Sequence, residues 1–192
     1  PAIDNYDVFV LQSNTSHNST TFTDASNSGH TITTHGSVRH RGQAEIAAEG
    51  AAGPGGAKFG TSAIWFPGTG NTTDYLSIPA SADFSFGTGD WSVDFWFAPF
   101  YTTDSVIIGT TSTAVSDNLW RVKVAGWPIT GSGINDYWPA VQPPNLVLNT
   151  WQHIAISRTS GIVRGFVDGV QVGGTTNPSW NISDDSKQLY LG

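Results

Sequence analysis

Cysteine and methionine are absent from this 192-residue chain, glutamate occurs only twice, and charged residues of every kind make up 12% of it. Without cysteine there can be no disulfide scaffold, zinc ribbon, thiol nucleophile or iron–sulfur site. That absence leaves the compartment open, since disulfide-free proteins occur both inside and outside cells. Strong helix formers are scarce, with 7 Leu, 5 Arg, 3 Lys and the 2 Glu, which excludes helical bundles and coiled coils. No apolar run approaches the roughly 20 residues of a membrane-crossing helix, and no basic-then-apolar leader opens the chain, so membrane insertion is not expected. With no initiator residue, Pro1 reads as a processed terminus or the edge of an excerpt.

What the chain does contain is 20 Ser, 22 Thr and 22 Gly, a composition that suits strands and turns. The length fits one domain over residues 1–192, large enough to bury roughly 70% of its unfolded surface without a metal or disulfide. The formal charge of −7 arises from 13 Asp and 2 Glu against 8 Lys and Arg. An acidic surface repels phosphate backbones, so nucleic acid is not an expected partner. Aspartate in such excess over glutamate suits turns, where a short carboxylate bonds nearby backbone amides, and also calcium loops.

Alternation with period two places Trp91, Val93, Phe95 and Phe97 on one strand face and Ser92, Asp94 and Trp96 on the other. Similar patterns predict strands at 7–11, 31–35, 63–66, 75–78, 106–109, 119–124, 151–157, 162–167 and 170–173. Asp168-Gly169 between Val167 and Val170 predicts a two-residue hairpin turn with positive φ. Residues 42–60 read as an exposed Gly/Ala/Pro loop holding at most one helical turn, and 125–149 as a long aromatic-bearing loop. About ten short strands joined by tight turns predict an all-β, two-sheet antiparallel sandwich.

The motifs Lys-Phe-Gly-Thr-Ser-Ala-Ile-Trp-Phe (58–66), Asp-Tyr-Leu-Ser-Ile-Pro (74–79), Phe-Gly-Thr-Gly-Asp-Trp-Ser-Val-Asp-Phe-Trp-Phe (86–97), Asn-Thr-Trp-Gln-His-Ile-Ala-Ile-Ser-Arg (149–158) and Phe-Val-Asp-Gly-Val-Gln-Val-Gly (166–173), with residues 21–33 before them, resemble a laminin-G-like, concanavalin A-like jelly-roll domain. The style is similar to modules of phage and marine viral structural proteins and bacterial surface proteins. The resemblance implies a sandwich with one concave sheet and an extracellular, virion or cell-surface location. It implies no chemistry, because the fold hosts lectins, adhesive modules and glucanases alike. The family usually continues past Leu189-Tyr190-Leu191-Gly192 into a closing strand with an Asp-Glu pair, so the resemblance implies either that the N-terminal strand covers that edge differently or that 1–192 is an excerpt lacking the closing strand.

Retaining glucanases of this fold carry carboxylates at i, i+2 and i+4 of one strand. Glu45 and Glu49 have the outer spacing, but Ala47 stands between them, and catalysis is not expected. No nucleophile elbow appears, and His153 reads as a structural strand histidine. His17, His30, His35 and His40 cluster in sequence without metal-ligand spacing. The resemblance suggests a structural Ca²⁺ held by Asp24, with Asn27 as companion. The residues equally support an Asx-turn at Asp24. In the long loop, Trp127, Tyr137 and Trp138 beside Asn135 and Asp136 are the expected ligand or interface residues. The expected function is a non-catalytic binding or assembly module of a virion, as capsid decoration or tail, or of a cell-surface structural protein. Its expected partners are other protein subunits, self or scaffold, or surface glycans. The alternative is a carbohydrate-binding, lectin-like adhesion module, with a glycoside hydrolase behind both.

Overall fold

A computed structural model describes residues 3–48, 54–67, 73–100, 105–110, 119–124, 129–132, 146–176, 181–183 and 186–192. The described strands are β1 (Thr33–His35), β2 (Arg39–Gly42), β3 (Ser62–Trp65), β4 (Tyr75–Ile78), β5 (Trp91–Phe97), β6 (Ser105–Gly109), β7 (Leu119–Val124), β8 (Ile129–Ser132), β9 (Gln152–Thr159), β10 (Ile162–Val167), β11 (Val170–Thr176) and β12 (Leu189–Leu191), with a short α-helix α1 (Gln43–Ala47) and a 3-10 turn at Ala82–Phe84. They form a six-stranded sheet ordered β1-β4-β12-β6-β7-β8, a four-stranded sheet ordered β11-β10-β9-β5 and a β2-β3 pair. All the pairings are antiparallel.

The two larger sheets pack face to face, because each offers one apolar parity. Ile78, Leu189, Ile108, Trp120 and Val122 come from the six-stranded sheet, and Ile154, Ile156, Val163 and Val167 from the four-stranded one. Each such buried side chain contributes about 1.5–3 kcal/mol relative to exposure. An aromatic series ties the layers: Trp91 of β5 stacks on Phe86 at 5.0 Å, and Phe86 meets Trp120 of β7 at 5.0 Å. At the β10–β11 turn Asp168 has φ 51° and Gly169 φ 79°, the left-handed pair that the Asp-Gly spelling predicts.

Three expectations require correction. Residues 7–11 form no strand beyond an isolated bridge of Leu11 to Asp24, because the Val10 amide is given to the Asp24 side chain, 2.9 Å away, instead of a neighbouring strand. The 42–60 stretch is not simply an exposed loop: α1 buries Ile46, and the Trp151 indole donates to the Gly56 carbonyl at 2.6 Å. The 125–149 stretch is interrupted by β8, paired with β7. Its Ile-Thr-Gly-Ser spelling carries no strand alternation to reveal it. Trp65 of β3 packs edge-on against Phe100 and under the Arg41 guanidinium.

The N-terminal segment is fastened at His40, which is 2% exposed. Its Nε2 lies 3.0 Å from the Thr21 carbonyl and therefore carries the proton. Nδ1 then accepts from the Ser13 hydroxyl at 2.7 Å, and Ser13 in turn meets Ser62 at 2.9 Å. The His40 backbone exchanges bonds with Asn18 and Ser19, and Phe22 stacks on the ring at 4.3 Å. Burial pushes the imidazole below its ordinary value of 6.5, against a smaller opposing effect from the Thr21 carbonyl. A depressed value means that the unfolded chain takes up the proton first as pH falls. The contribution of His40 is therefore complete above about pH 6.5 and declines below it. Melting temperatures between pH 8 and 5 should fall more steeply for the native chain than for His40→Gln; parallel curves would contradict the assignment.

Candidate functional site

The outward parity of the four-stranded sheet forms three rows. Trp96 lies opposite His153; Asp94 lies opposite Ala155, which lies opposite Phe166; Ser92 lies opposite Ser157, which lies opposite Arg164. Rows on one face are about 7 Å apart and strands about 4.8 Å apart. Ala155, Ser157 and Ser92 thus make a low floor, and Trp96, His153, Asp94, Phe166 and Arg164 stand around it. These positions face outward because Val93, Phe95, Ile154, Ile156, Val163 and Val167, of the opposite parity, occupy the core.

The loop before β3 extends this face. Phe59 is 64% exposed and Trp96 36%, with their rings edge to face at 5.6 Å. The Lys58 ammonium sits 3.7 Å from the Trp96 ring centre, a cation–π contact. The loop is held on both sides of these residues. The Ala57 amide donates to Gln43 Oε1 at 2.7 Å, the Thr61 amide to Asn14 Oδ1 at 3.2 Å, and Trp151 to Gly56. A Cβ at Gly56 would collide with the Gln43 side chain that makes one of these bonds. Gly56→Ala should therefore displace Lys58 and Phe59 at a cost of about 1–3 kcal/mol, read as a lowered melting temperature and altered Trp fluorescence.

His153 organises the polar part of the face. Its Nε2 lies 3.0 Å from Asp94 Oδ2, its ring 5.2 Å from Trp96, and its backbone amide donates to Asp168 Oδ1 at 2.8 Å. At the same end of the sheet the Asn149 amide bonds the Pro99 carbonyl at 2.8 Å. There Val147, Leu148 and Val170 are exposed apolar side chains.

Of the residues singled out in the sequence, Trp127, Tyr137, Trp138, Asn135 and Asp136 lie outside the described residues. Asp24 and Asn27 lie elsewhere, in the N-terminal segment. Asp24 is 6% exposed. Its Oδ1 accepts from the Val10 and Ser26 amides and its Oδ2 from the His30 amide and the Ser26 hydroxyl, each at 2.9 Å. A carboxylate has about four acceptor positions, and protein donors face all of them. Asn27 turns its amide to Asn5 Oδ1 at 3.0 Å. This donor set does not fit a Ca²⁺ ion, which needs six to eight oxygens directed at it; it fits the Asx-turn. Burial alone would raise the Asp24 pKa, but the Val10, Ser26 and His30 donors together bring it below the usual 3.8.

The four N-terminal histidines are dispersed, to Glu45, Asp83, Ser77 and Ser13 respectively. Among the described residues no three His, Cys, Asp or Glu side chains form a metal-binding group. Glu45 sits on α1 against His17 at 3.5 Å, and Glu49 lies outside the described residues. The sequence reading missed Trp96, His153 and Asp94 as a group. The available signal was the outward half of the β5 alternation, in which a Trp and an Asp occupy positions that burial does not require.

A sequence profile of the concanavalin A-like lectin/glucanases superfamily matches residues 69–192. The chain belongs to this superfamily. No curated protein matches it in sequence. Among solved structures, this concanavalin A-like chain is similar to domain 4 of AbnA, a GH43 extracellular arabinanase from Geobacillus stearothermophilus solved with arabinotriose. That match has 17% identity, 88% of this chain and 76% of that one, and a TM-score of 0.58. It is also similar to the receptor binding domain of a botulinum neurotoxin C/D mosaic serotype (14% identity, 96% and 42%, TM-score 0.58). The serotype D binding domain is comparable (12%, 92% and 42%, TM-score 0.57). The chain spans about two-fifths of these toxin domains, and at such identities the likeness establishes the fold alone.

Proposed function

We propose that this concanavalin A-like domain is a non-catalytic carbohydrate-binding module acting outside the cell or at a cell or virion surface, with the outer face of the four-stranded sheet as its binding face. The observation that carries this reading is the exposed Phe59–Trp96 pair, fixed by Lys58 and by a hydrogen-bonded loop, beside the Asp94–His153 pair. Aromatic rings take the apolar faces of sugars while convergent polar groups take the hydroxyls. A non-catalytic role is supported by two carboxylates among the described residues at this end of the sheet. Asp94 and Asp168 are both tied to His153, whereas a glycosidase needs one carboxyl as acid and one as base or nucleophile on opposite sides of a bond.

On a glycan array the chain should bind a defined subset of oligosaccharides. Trp96→Ala and Phe59→Ala should each weaken that binding about tenfold or more, and the bound glycan should be recovered uncut. Equal binding by the native chain and Trp96→Ala would remove this face from consideration.

Exposure of Val147, Leu148 and Val170 at one end of the same sheet favours a second reading, an assembly module of a virion or cell-surface structure that docks this end on another subunit. Analytical ultracentrifugation separates the two: self-association lost in Val170→Asp but kept in Trp96→Ala supports assembly.

A further inference from the structure

We infer that the carbohydrate taken by this face is acidic, a saccharide bearing carboxylate or sulfate groups, and that Lys58 and Arg164 read the charge. The inference rests on the carbohydrate-binding reading and narrows it. In a chain with formal charge −7, Lys58 and Arg164 both stand on this face, and among the described residues neither has an ion pair or hydrogen bond to a carboxylate. The acidic groups nearby are already engaged: Asp94 Oδ2 meets His153 Nε2 at 3.0 Å, and Asp168 Oδ1 takes the His153 amide at 2.8 Å.

The placement of the two cations suits a chain of sugar rings. Lys58 is anchored over Trp96 at one end. Arg164 lies two rows along and two strands across from Trp96, about 16 Å away between Cα atoms. Between them lies the low floor of Ala155 and Ser157, with the Phe166 ring at its border. A saccharide lying along this floor would place rings against Trp96 and Phe59 and an anionic substituent at either end against a cation. The planar guanidinium of Arg164 presents paired donors that match a carboxylate or sulfate.

The test measures binding of oligogalacturonate and its carboxyl-reduced counterpart, and of sulfated carrageenan oligosaccharides and their desulfated form, at about 0.05 M and 0.3 M salt. The expected result is binding to the oligogalacturonate pair or the carrageenan pair only in its charged form, which also separates carboxylate from sulfate recognition. That binding should weaken about fivefold in Lys58→Gln and in Arg164→Gln and weaken further at the higher salt. Trp96→Ala should abolish it while circular dichroism remains native. Equal affinity for charged and neutral forms overturns the acidic assignment and leaves carbohydrate binding standing. Binding of a charged form that neither cation variant alters also overturns it. If none of these four ligands binds and the glycan array is blank, both readings fail together.

Discussion

Trp120→Ala should lower the stability of the fold by about 3–5 kcal/mol, the range for removing a large aromatic side chain from a packed core. Trp120 is 5% exposed, points inward from β7, and meets Phe86, which stacks on Trp91 of the opposite sheet. Its indole N–H also donates to the Phe84 carbonyl at 3.1 Å. Truncation would open a cavity between the sheets, interrupt the aromatic series and leave that carbonyl without its donor. For a chain of this size the loss corresponds to a melting temperature lower by about 6–20 °C. Trp120→Phe keeps part of the volume and should lose less. A shift below about 1 kcal/mol in urea unfolding for the alanine variant would show that the two layers are not joined through this residue.

Asp24→Ala should cost about 3 kcal/mol, because it strands the Val10, Ser26 and His30 amides, each left unpaired at about 1–3 kcal/mol unless water reaches it, while the Ser26 hydroxyl keeps the Val8 carbonyl at 3.1 Å. The effect should concentrate in the N-terminal segment. Hydrogen exchange at Val10, Ser26 and His30 should rise well before exchange in β9 and β10. Because the carboxylate is held ionised below its usual 3.8, its stabilisation is complete above that pH and is lost as pH falls beneath it. This window is separate from that of His40, which begins near 6.5. The saturated donor set also predicts that chelator and added Ca²⁺ leave the melting temperature unchanged. A rise of several degrees with Ca²⁺, absent in Asp24→Ala, would reinstate the ion.

How far the fold was legible depended on the kind of signal each segment carried. β5 and β9 alternate in sequence, so their parity declared both the strand and the core face, whereas β10, spelled Ile-Val-Arg-Gly-Phe-Val, has apolar residues on both parities and its core face was set by pairing. The Asp168-Gly169 turn was legible because only residues tolerant of positive φ can close such a hairpin. β2 and β8, spelled Arg-His-Arg-Gly and Ile-Thr-Gly-Ser, have no apolar alternation; their pairing partners make them strands. Residues 7–11 show the converse. Their pattern suits a strand, yet one carboxylate fourteen residues away captures a backbone amide and leaves only a bridge.

The proposed binding face illustrates the same division. Composition determined that the chain would be an all-β sandwich without disulfides, thiol chemistry or helical bundles, because backbone preference and side-chain period act locally along the chain. Which outward residues meet is a matter of register between distant segments. Trp96 finds His153 across β5 and β9, Phe59 reaches Trp96 from a separate loop, and Arg164 joins the same face through β10. None of those separations is written in local sequence. The burial of Val93, Phe95, Ile154 and Ile156 selects the register that turns the remaining side chains outward together, so the tertiary packing alone decided which residues make up the proposed site.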